Sequence, residues 1–227
     1  MKSIDYCQLY AFIDTAYLEG RDPLEVAKML CDGGADVVQV RAKGSSPEEV
    51  ARLTERIKPV LDQAGVLLVV NDWYEIAVRM EADFCHMGQE DFFNEGMRSK
   101  AELAKRFIGC YGQDQLERVG LGLSSHSPEQ ALRAVAAGAD YVAVGPVFAT
   151  PTKPGRTPVG LELLKWASAT LKVPWFAIGG INLDNVEKVL EAGARRICVV
   201  SAILLAPDIT RACLEFKRRL ERVKLGQ

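Results

Sequence analysis

The sequence lacks most of the features that announce a chemistry outright. Its six cysteines (Cys7, Cys31, Cys85, Cys110, Cys198 and Cys213) are scattered, with no C-x-x-C pair, and Cys85 and Cys198 fall inside apolar runs. That spacing speaks against a zinc site or a disulfide framework and points to reduced, buried thiols. Net charge is equally scarce: 28 basic residues stand against 30 acidic ones, a formal charge of -2. No global field draws the chain to nucleic acid or to an anionic membrane. The basic run Lys217, Arg218, Arg219, Arg222 and Lys224 alternates with Glu215 and Glu221, as on a solvated helix face. No apolar span approaches membrane length, and Met1-Lys2-Ser3-Ile4-Asp5 lacks the apolar run of a signal peptide. A soluble, cytoplasmic protein without nucleic-acid or membrane partners is expected.

What is present is core-forming material in a repeating order. A chain of 227 residues with 48% hydrophobic content can bury a full core. Gly34-Ala35-Asp36-Val37-Val38, Ala82-Asp83-Phe84-Cys85, Gly138-Ala139-Asp140-Tyr141-Val142 and Gly193-Ala194-Arg195-Arg196-Ile197 share one grammar. Each is a helix end with a small residue, a short polar turn, then an apolar strand. Eight strands are predicted: Gln8–Ile13, Val37–Arg41, Leu67–Asn71, Phe84–Met87, Gly120–Ser124, Tyr141–Val144, Trp175–Ile178 and Ile197–Val200. Helices are predicted at Pro47–Gln63, Pro128–Ala137, Leu161–Leu171, Leu183–Ala192 and Ile209–Val223, with caps at Ser46, Ser127 and Asp208. Ser99–Phe107 also reads as helical. Phe92–Met97 and Cys110–Arg118 resemble an enlarged loop, a mouth element or a homo-oligomer contact.

Eight βα units in this length describe a single (β/α)8 TIM barrel spanning 1–227. A doubly wound open sheet needs fewer strands and usually a Gly-rich turn after the first, where Asp14-Thr15-Ala16 offers none. In a barrel the strand C-terminal ends carry the chemistry. Asp36, Asp83 and Asp140 precede their strands and read as turn residues of the opposite face. Asp14, Asp72 and Asp91 follow theirs and are candidates for chemistry.

Strand 2 alternates Val38, Val40 and Ala42 with Gln39, Arg41 and Lys43. The valines suit the helix-facing side, so the three polar groups point toward the barrel mouth, where they need a ligand. Asp72 and Asp91 end neighbouring strands, within reach of one Mg2+ completed by substrate oxygens and water. Helix capping is the competing reading, most of all for Asp72. His86 has no second histidine nearby and suits a hydrogen-bonded interior position. His126 sits in a loop at the mouth, beside Ser124, which can donate to phosphate. After strand 6, Gly145-Pro146 opens a loop whose side-chain chemistry is Thr150, Thr152 and Lys153, groups suited to an oxyanion. Gly179-Gly180 and Val200-Ser201 follow strands 7 and 8, a frequent phosphate position in barrels.

Taken in order, Gln39–Lys43, Asn71-Asp72, His86–Asp91, Gly122–His126, Gly145–Phe148, Thr150–Lys153 and Ile178–Ile181 closely resemble the thiamine-phosphate synthase (thiamine-phosphate pyrophosphorylase) family. The resemblance runs from about Leu9 to Ile203. It implies a transferase of thiamine biosynthesis, joining a hydroxymethylpyrimidine diphosphate to a thiazole phosphate with release of pyrophosphate. By the same resemblance Gln39, Val40, Arg41, Ala42, Lys43, Asn71, Ser124 and Lys153 hold the pyrimidine diphosphate. Asp72 and Asp91 hold Mg2+, and Thr150, Pro151, Thr152, Gly180, Val200 and Ser201 hold the thiazole phosphate. Arg41, Lys43 and Lys153 are the catalytic cations. Departures are Trp73 where the family usually has arginine, Pro151 inside the Thr-x-Thr loop, and a longer stretch around Cys110–Arg118. Rival readings are a thiazole tautomerase-like isomerase using His126, and a non-catalytic barrel that senses thiamine phosphates. The Asp72 and Asp91 pair argues against the first, and intact Lys43 and Lys153 against the second.

Overall fold

The computed structural model describes residues 3–150, 152 and 155–223. The strands are β1 (Leu9–Asp14), β2 (Val37–Arg41), β3 (Leu67–Asn71), β4 (Phe84–Met87), β5 (Gly120–Ser125), β6 (Tyr141–Val144), β7 (Trp175–Ile178) and β8 (Ile197–Cys198). All neighbours pair in parallel and β1 closes on β8, giving the eight-stranded barrel that the repeat predicts. Helices α1 (Pro23–Asp32), α2 (Pro47–Ala64), α3 (Tyr74–Arg79), α4 (Gln89–Asn94), α5 (Lys100–Lys105) and α6 (Gln113–Arg118) belong to the first half. Helices α7 (Pro128–Ala136), α8 (Gly160–Thr170), α9 (Val186–Glu191), α10 (Ser201–Leu204) and α11 (Ile209–Leu220) complete the outer ring. Among the described residues no helix is long and apolar enough to cross a membrane.

Local chemistry explains the helix starts. Ser46, Ser127 and Asp208 each accept an amide from the first turn, and Ser46 completes a reciprocal capping box with Glu49. Three elements differ from the sequence reading. Phe92, Phe93 and Asn94 belong to the helix α4 rather than to a loop. Gln113–Arg118 is a helix rather than loop, because Leu116 repays burial and the Gln115 side chain accepts the Gly112 amide. Strand β8 stops at Cys198, since Val199 and Val200 turn directly into α10.

The period-two alternation of the strands separates two cores. Leu9, Ala11, Ile13, Val38, Val40, Leu68, Val70, Leu121, Leu123, Val142 and Val144 face the helices. Tyr10, Phe12, Val37, Leu67, Val69, Tyr141, Phe176 and Cys198 fill the barrel interior. Tyr141 fits because β5 carries glycine beside it: a Cβ on Gly122 would run into the Tyr141 ring.

The three aspartates preceding strands are clamps at the N-terminal face. Asp36 Oδ2 accepts the Leu9 amide at 2.9 Å and Lys217 at 2.7 Å. Asp83 Oδ2 accepts the Leu68 amide at 2.8 Å, and Asp140 Oδ2 the Leu121 amide at 2.7 Å. Each ties the start of the preceding strand to the turn that opens its neighbour. Of the cysteines, Cys7, Cys85, Cys198 and Cys213 are buried and Cys31 is half-buried, while Cys110 is exposed, against the expectation of buried thiols throughout.

Candidate active site

At the C-terminal ends of the strands one cavity collects most of the predicted residues. Gln39, Arg41, Asn71 and Ser124 line it from β2, β3 and β5, and Thr150, Thr152, Gly180, Val200 and Ser201 from the loops after β6, β7 and β8. His86 and His126 also line it. Lys43, Asp72 and Asp91 are not among the residues that line it. Val40 is fully buried among the helix-facing residues and Ala42 packs against the same core, so neither side chain reaches the cavity. Pro151 and Lys153 lie outside the described residues.

Arg41 does not stand alone. Register places it beside Asp14, and its Nη1 donates to Asp14 Oδ2 at 2.5 Å, with Asp14 fully buried. The other Asp14 oxygen accepts the Ala16 amide at 3.1 Å. Asp14, a candidate for chemistry from sequence, is therefore committed to holding the guanidinium and a 3-10 turn. Sequence reasoning missed this pair, although the parallel register of the first two strands encodes it.

Asp72 takes a left-handed backbone, with φ 66°, uncommon for a residue with a Cβ. The conformation is held by its amide, which donates to the His86 carbonyl at 2.8 Å. The carboxylate accepts from the Asn71 amide nitrogen at 2.6 Å and pairs with Lys43 at 3.4 Å. Neither Asp72 nor Asp91 caps a helix: the N-cap of α3 is Trp73 and that of α4 is Gly88. Neither is an N-cap, although Asp91 lies in the first turn of α4 with its carboxylate folded back against Gly88. No cluster of three or more His, Cys, Asp or Glu able to hold a metal exists among the described residues. Asp72 directly follows β3, whereas Asp91 lies within α4 rather than at the end of β4. Carboxylates are the donor type that Mg2+ takes when substrate oxygens and water complete its shell.

The loop after β6 is tied at both sides. Thr152 Oγ1 meets the Tyr17 hydroxyl at 3.1 Å, and Arg156 donates to Glu90 Oε1 at 2.8 Å. The Arg156 hydrogen bond and charge hold the Glu90 carboxyl down at about 2. Gly180 (φ 66°) lies under this loop, where a Cβ would come within 2.5 Å of the Ala149 carbonyl oxygen. His126 Nδ1 hydrogen-bonds the Gly145 carbonyl.

His86 is an interior histidine, as expected, with Nδ1 3.0 Å from the Tyr141 hydroxyl and Nε2 3.0 Å from Ser124 Oγ. Tyr10 and Tyr141, absent from the sequence-derived site, meet at 2.9 Å between hydroxyls, and Gln39 Nε2 donates to Tyr10 at 2.7 Å. Burial pushes both phenols well above the ordinary tyrosine value, so both stay neutral. The available signal was two tyrosines at interior-facing positions of otherwise apolar strands.

The family model for thiamine monophosphate synthase matches residues 9–203, nearly the whole barrel. The chain belongs to that family. A thiamine-phosphate synthase of Thermus thermophilus is 45% identical over 189 residues, 83% of this chain and 84% of that protein. That of Acidothermus cellulolyticus is 41% identical over 220 residues, 96% of this chain and 97% of that protein. A solved thiamine phosphate pyrophosphorylase from Pyrococcus furiosus superposes with TM-score 0.80 at 28% identity, covering 96% of this chain and 98% of that one. 3-Hexulose-6-phosphate synthase, at TM-score 0.61 and 21% identity, shares the fold.

Proposed function

We propose that this chain is a thiamine-phosphate synthase, a transferase that condenses 4-amino-2-methyl-5-(diphosphooxymethyl)pyrimidine with 4-methyl-5-(2-phosphooxyethyl)thiazole, releasing pyrophosphate. One observation carries the reading. A single cavity joins Gln39, Arg41, Asn71 and Ser124 to Thr150, Thr152, Gly180 and Ser201, so two anionic substrates can meet between them.

The pyrimidine lies on the Gln39, Asn71 and Ser124 side, with its diphosphate toward Arg41, Lys43 and Lys153. The C–O bond to the diphosphate breaks, pyrophosphate leaves with the electron pair, and the thiazole nitrogen attacks the methylene cation. Arg41, Lys43 and Lys153 stabilise the charge growing on the leaving group, and no general base is required. Asp72 and Asp91 would hold Mg2+, which would supply positive charge to offset that of the diphosphate. The thiazole phosphate takes the Thr150, Thr152, Gly180, Val200 and Ser201 pocket. The reaction is cytoplasmic, a reading that six scattered cysteines with no C-x-x-C pair support.

The test is a pyrophosphate-release assay with Mg2+, with and without the thiazole partner. Release that depends on both substrates supports the assignment. Conversion of the thiazole phosphate alone marks an isomerase, and binding without conversion of either marks a sensor.

A further inference from the structure

The polar groups inside the barrel form one unbroken line along the floor of the cavity: Gln39, Tyr10, Tyr141, His86, Ser124. Gln39, Tyr10, His86 and Ser124 border the cavity, and Tyr141 joins the two halves from the buried interior. Tyr141 fits there only because Gly122 leaves it room.

Hydrogen counting gives this line a direction. Gln39 Nε2 is a donor only, so the Tyr10 oxygen accepts from it at 2.7 Å. The single Tyr10 proton then goes to Tyr141 at 2.9 Å, and the single Tyr141 proton to His86 Nδ1 at 3.0 Å. With Nδ1 accepting, the neutral imidazole carries its proton on Nε2 and donates it to Ser124 Oγ at 3.0 Å. Ser124 is thereby left with its own proton to give to the cavity. Gln39 gives one Nε2 hydrogen to Tyr10, which fixes the orientation of its amide and leaves Oε1, with the second Nε2 hydrogen beside it, for a ligand. Both phenols are held neutral by burial, so each supplies one proton and one acceptor to the line.

We propose that the Tyr10–Tyr141–His86 relay is a specificity device, fixing an acceptor at Gln39 and a donor at Ser124 so that the cavity takes an aminopyrimidine and refuses its oxo counterpart. The inference rests on the synthase reading for its substrate, but not for the state of the relay. An exocyclic amino group offers N–H to Gln39 Oε1, whereas an oxo group places oxygen against oxygen. Tyr10, Tyr141 and His86 are positioning residues, each acting through its neighbour. Running the line backwards would require Gln39 to present its nitrogen to the cavity and His86 to carry its proton on Nδ1.

The chain has only two histidines, so nitrogen NMR of histidine-labelled protein reads the tautomer directly, with His126→Gln assigning the signals. Wild type is expected to show His86 protonated on Nε2. Tyr141→Phe keeps the ring but removes the proton donor, and the signal should move to a mixture of tautomers. Tyr10→Phe leaves Tyr141 donating, so His86 stays on Nε2 while the Gln39 amide is released. Kinetically, both variants should raise KM for the pyrimidine diphosphate about tenfold, the scale of one buried hydrogen bond. The thiazole phosphate KM should move less than about twofold, since no group of the relay belongs to its pocket. Tyr10→Phe should also narrow the preference for the amino over the 4-oxo pyrimidine diphosphate about tenfold. An Nδ1 proton on His86 in wild type overturns the proposal, as do two variants with lower melting temperatures but unchanged pyrimidine KM and selectivity. The nitrogen spectrum needs no turnover, so a chain inactive on both substrates would refute the activity and leave the relay separately decided.

Discussion

Replacing Asp14 with asparagine isolates the charge that holds Arg41. The substitution keeps size and shape, and asparagine still caps the Ala16 amide, so the turn after β1 survives. What is lost is the partner of a guanidinium whose side chain is only 12% exposed, paired at 2.5 Å with a carboxylate 1% exposed. Breaking such a pair from one side costs about 3–5 kcal/mol, because the remaining charge stays buried. Arg41 borders the cavity, where water can reach it, so the low end applies, about 3 kcal/mol. For a chain of this length that corresponds to a melting temperature lower by about 6–12 °C. Anion binding should return part of it. With no carboxylate competing for the guanidinium, pyrophosphate with Mg2+ should bind Asp14→Asn about tenfold more tightly than wild type, equivalent to about 1.4 kcal/mol. Thermal melts with and without millimolar pyrophosphate read both effects, the ligand-induced upshift being larger in the variant. A variant that melts within about 2 °C of wild type, or gains no more from pyrophosphate, would refute the claim that Asp14 neutralises Arg41 in the free protein.

Other perturbations address the remaining parts of the site. Lys153→Ala should lower kcat by roughly two to three orders of magnitude with little change in either KM, since it serves charge that grows on the leaving group; steady-state kinetics with both substrates varied would show a raised KM alone if it is only an anchor. Gly180→Val should raise KM for the thiazole phosphate more than for the pyrimidine diphosphate. The reason is broader than blocked phosphate, because the new Cβ also meets the Ala149 carbonyl and Phe148 and a positive φ is strained for valine; equal rises in both constants would contradict the two-pocket division. Asp72→Ala and Asp91→Ala should each abolish Mg2+-dependent turnover without unfolding the chain, checked by activity against Mg2+ concentration and by circular dichroism. Finally, Glu90 should titrate near 2 by carboxyl-carbon NMR and move back up in Arg156→Ala. Its folded value is depressed, so the tether's contribution is fully present above the ordinary carboxylate value of about 4.3 and is lost as pH falls through about 2.

The barrel was legible because its signals are local and repeated. Val38 and Val40 against Gln39 and Arg41 declare a strand with two different faces, and small-residue turns before Asp36, Asp83 and Asp140 count the units. Chain position alone assigns those aspartates to the N-terminal face, and there they clamp strand starts. The helix at Gln113–Arg118 escaped because one buried leucine and a side-chain cap carry it, too little periodicity to read. The site's composition was legible at positions where a charged or hydroxyl residue interrupts an apolar strand end. Its wiring was not. The Asp14–Arg41 pair depends on register between strands, and the Tyr10–Tyr141–His86 line depends on three side chains meeting across the barrel interior from separate strands. Val40 and Ala42 sit between cavity residues in the sequence and turn toward the helices, as the alternation of that strand predicts.

The central claim is that two anionic substrates react in one cavity with pyrophosphate as the leaving group. Phosphorus NMR of the purified chain with the pyrimidine diphosphate, the thiazole phosphate and Mg2+ tests it most directly. One pyrophosphate should appear for every thiamine phosphate formed, with neither appearing when either substrate is omitted. Pyrophosphate without thiamine phosphate, a thiazole phosphate altered on its own, or two substrates left unchanged would contradict it.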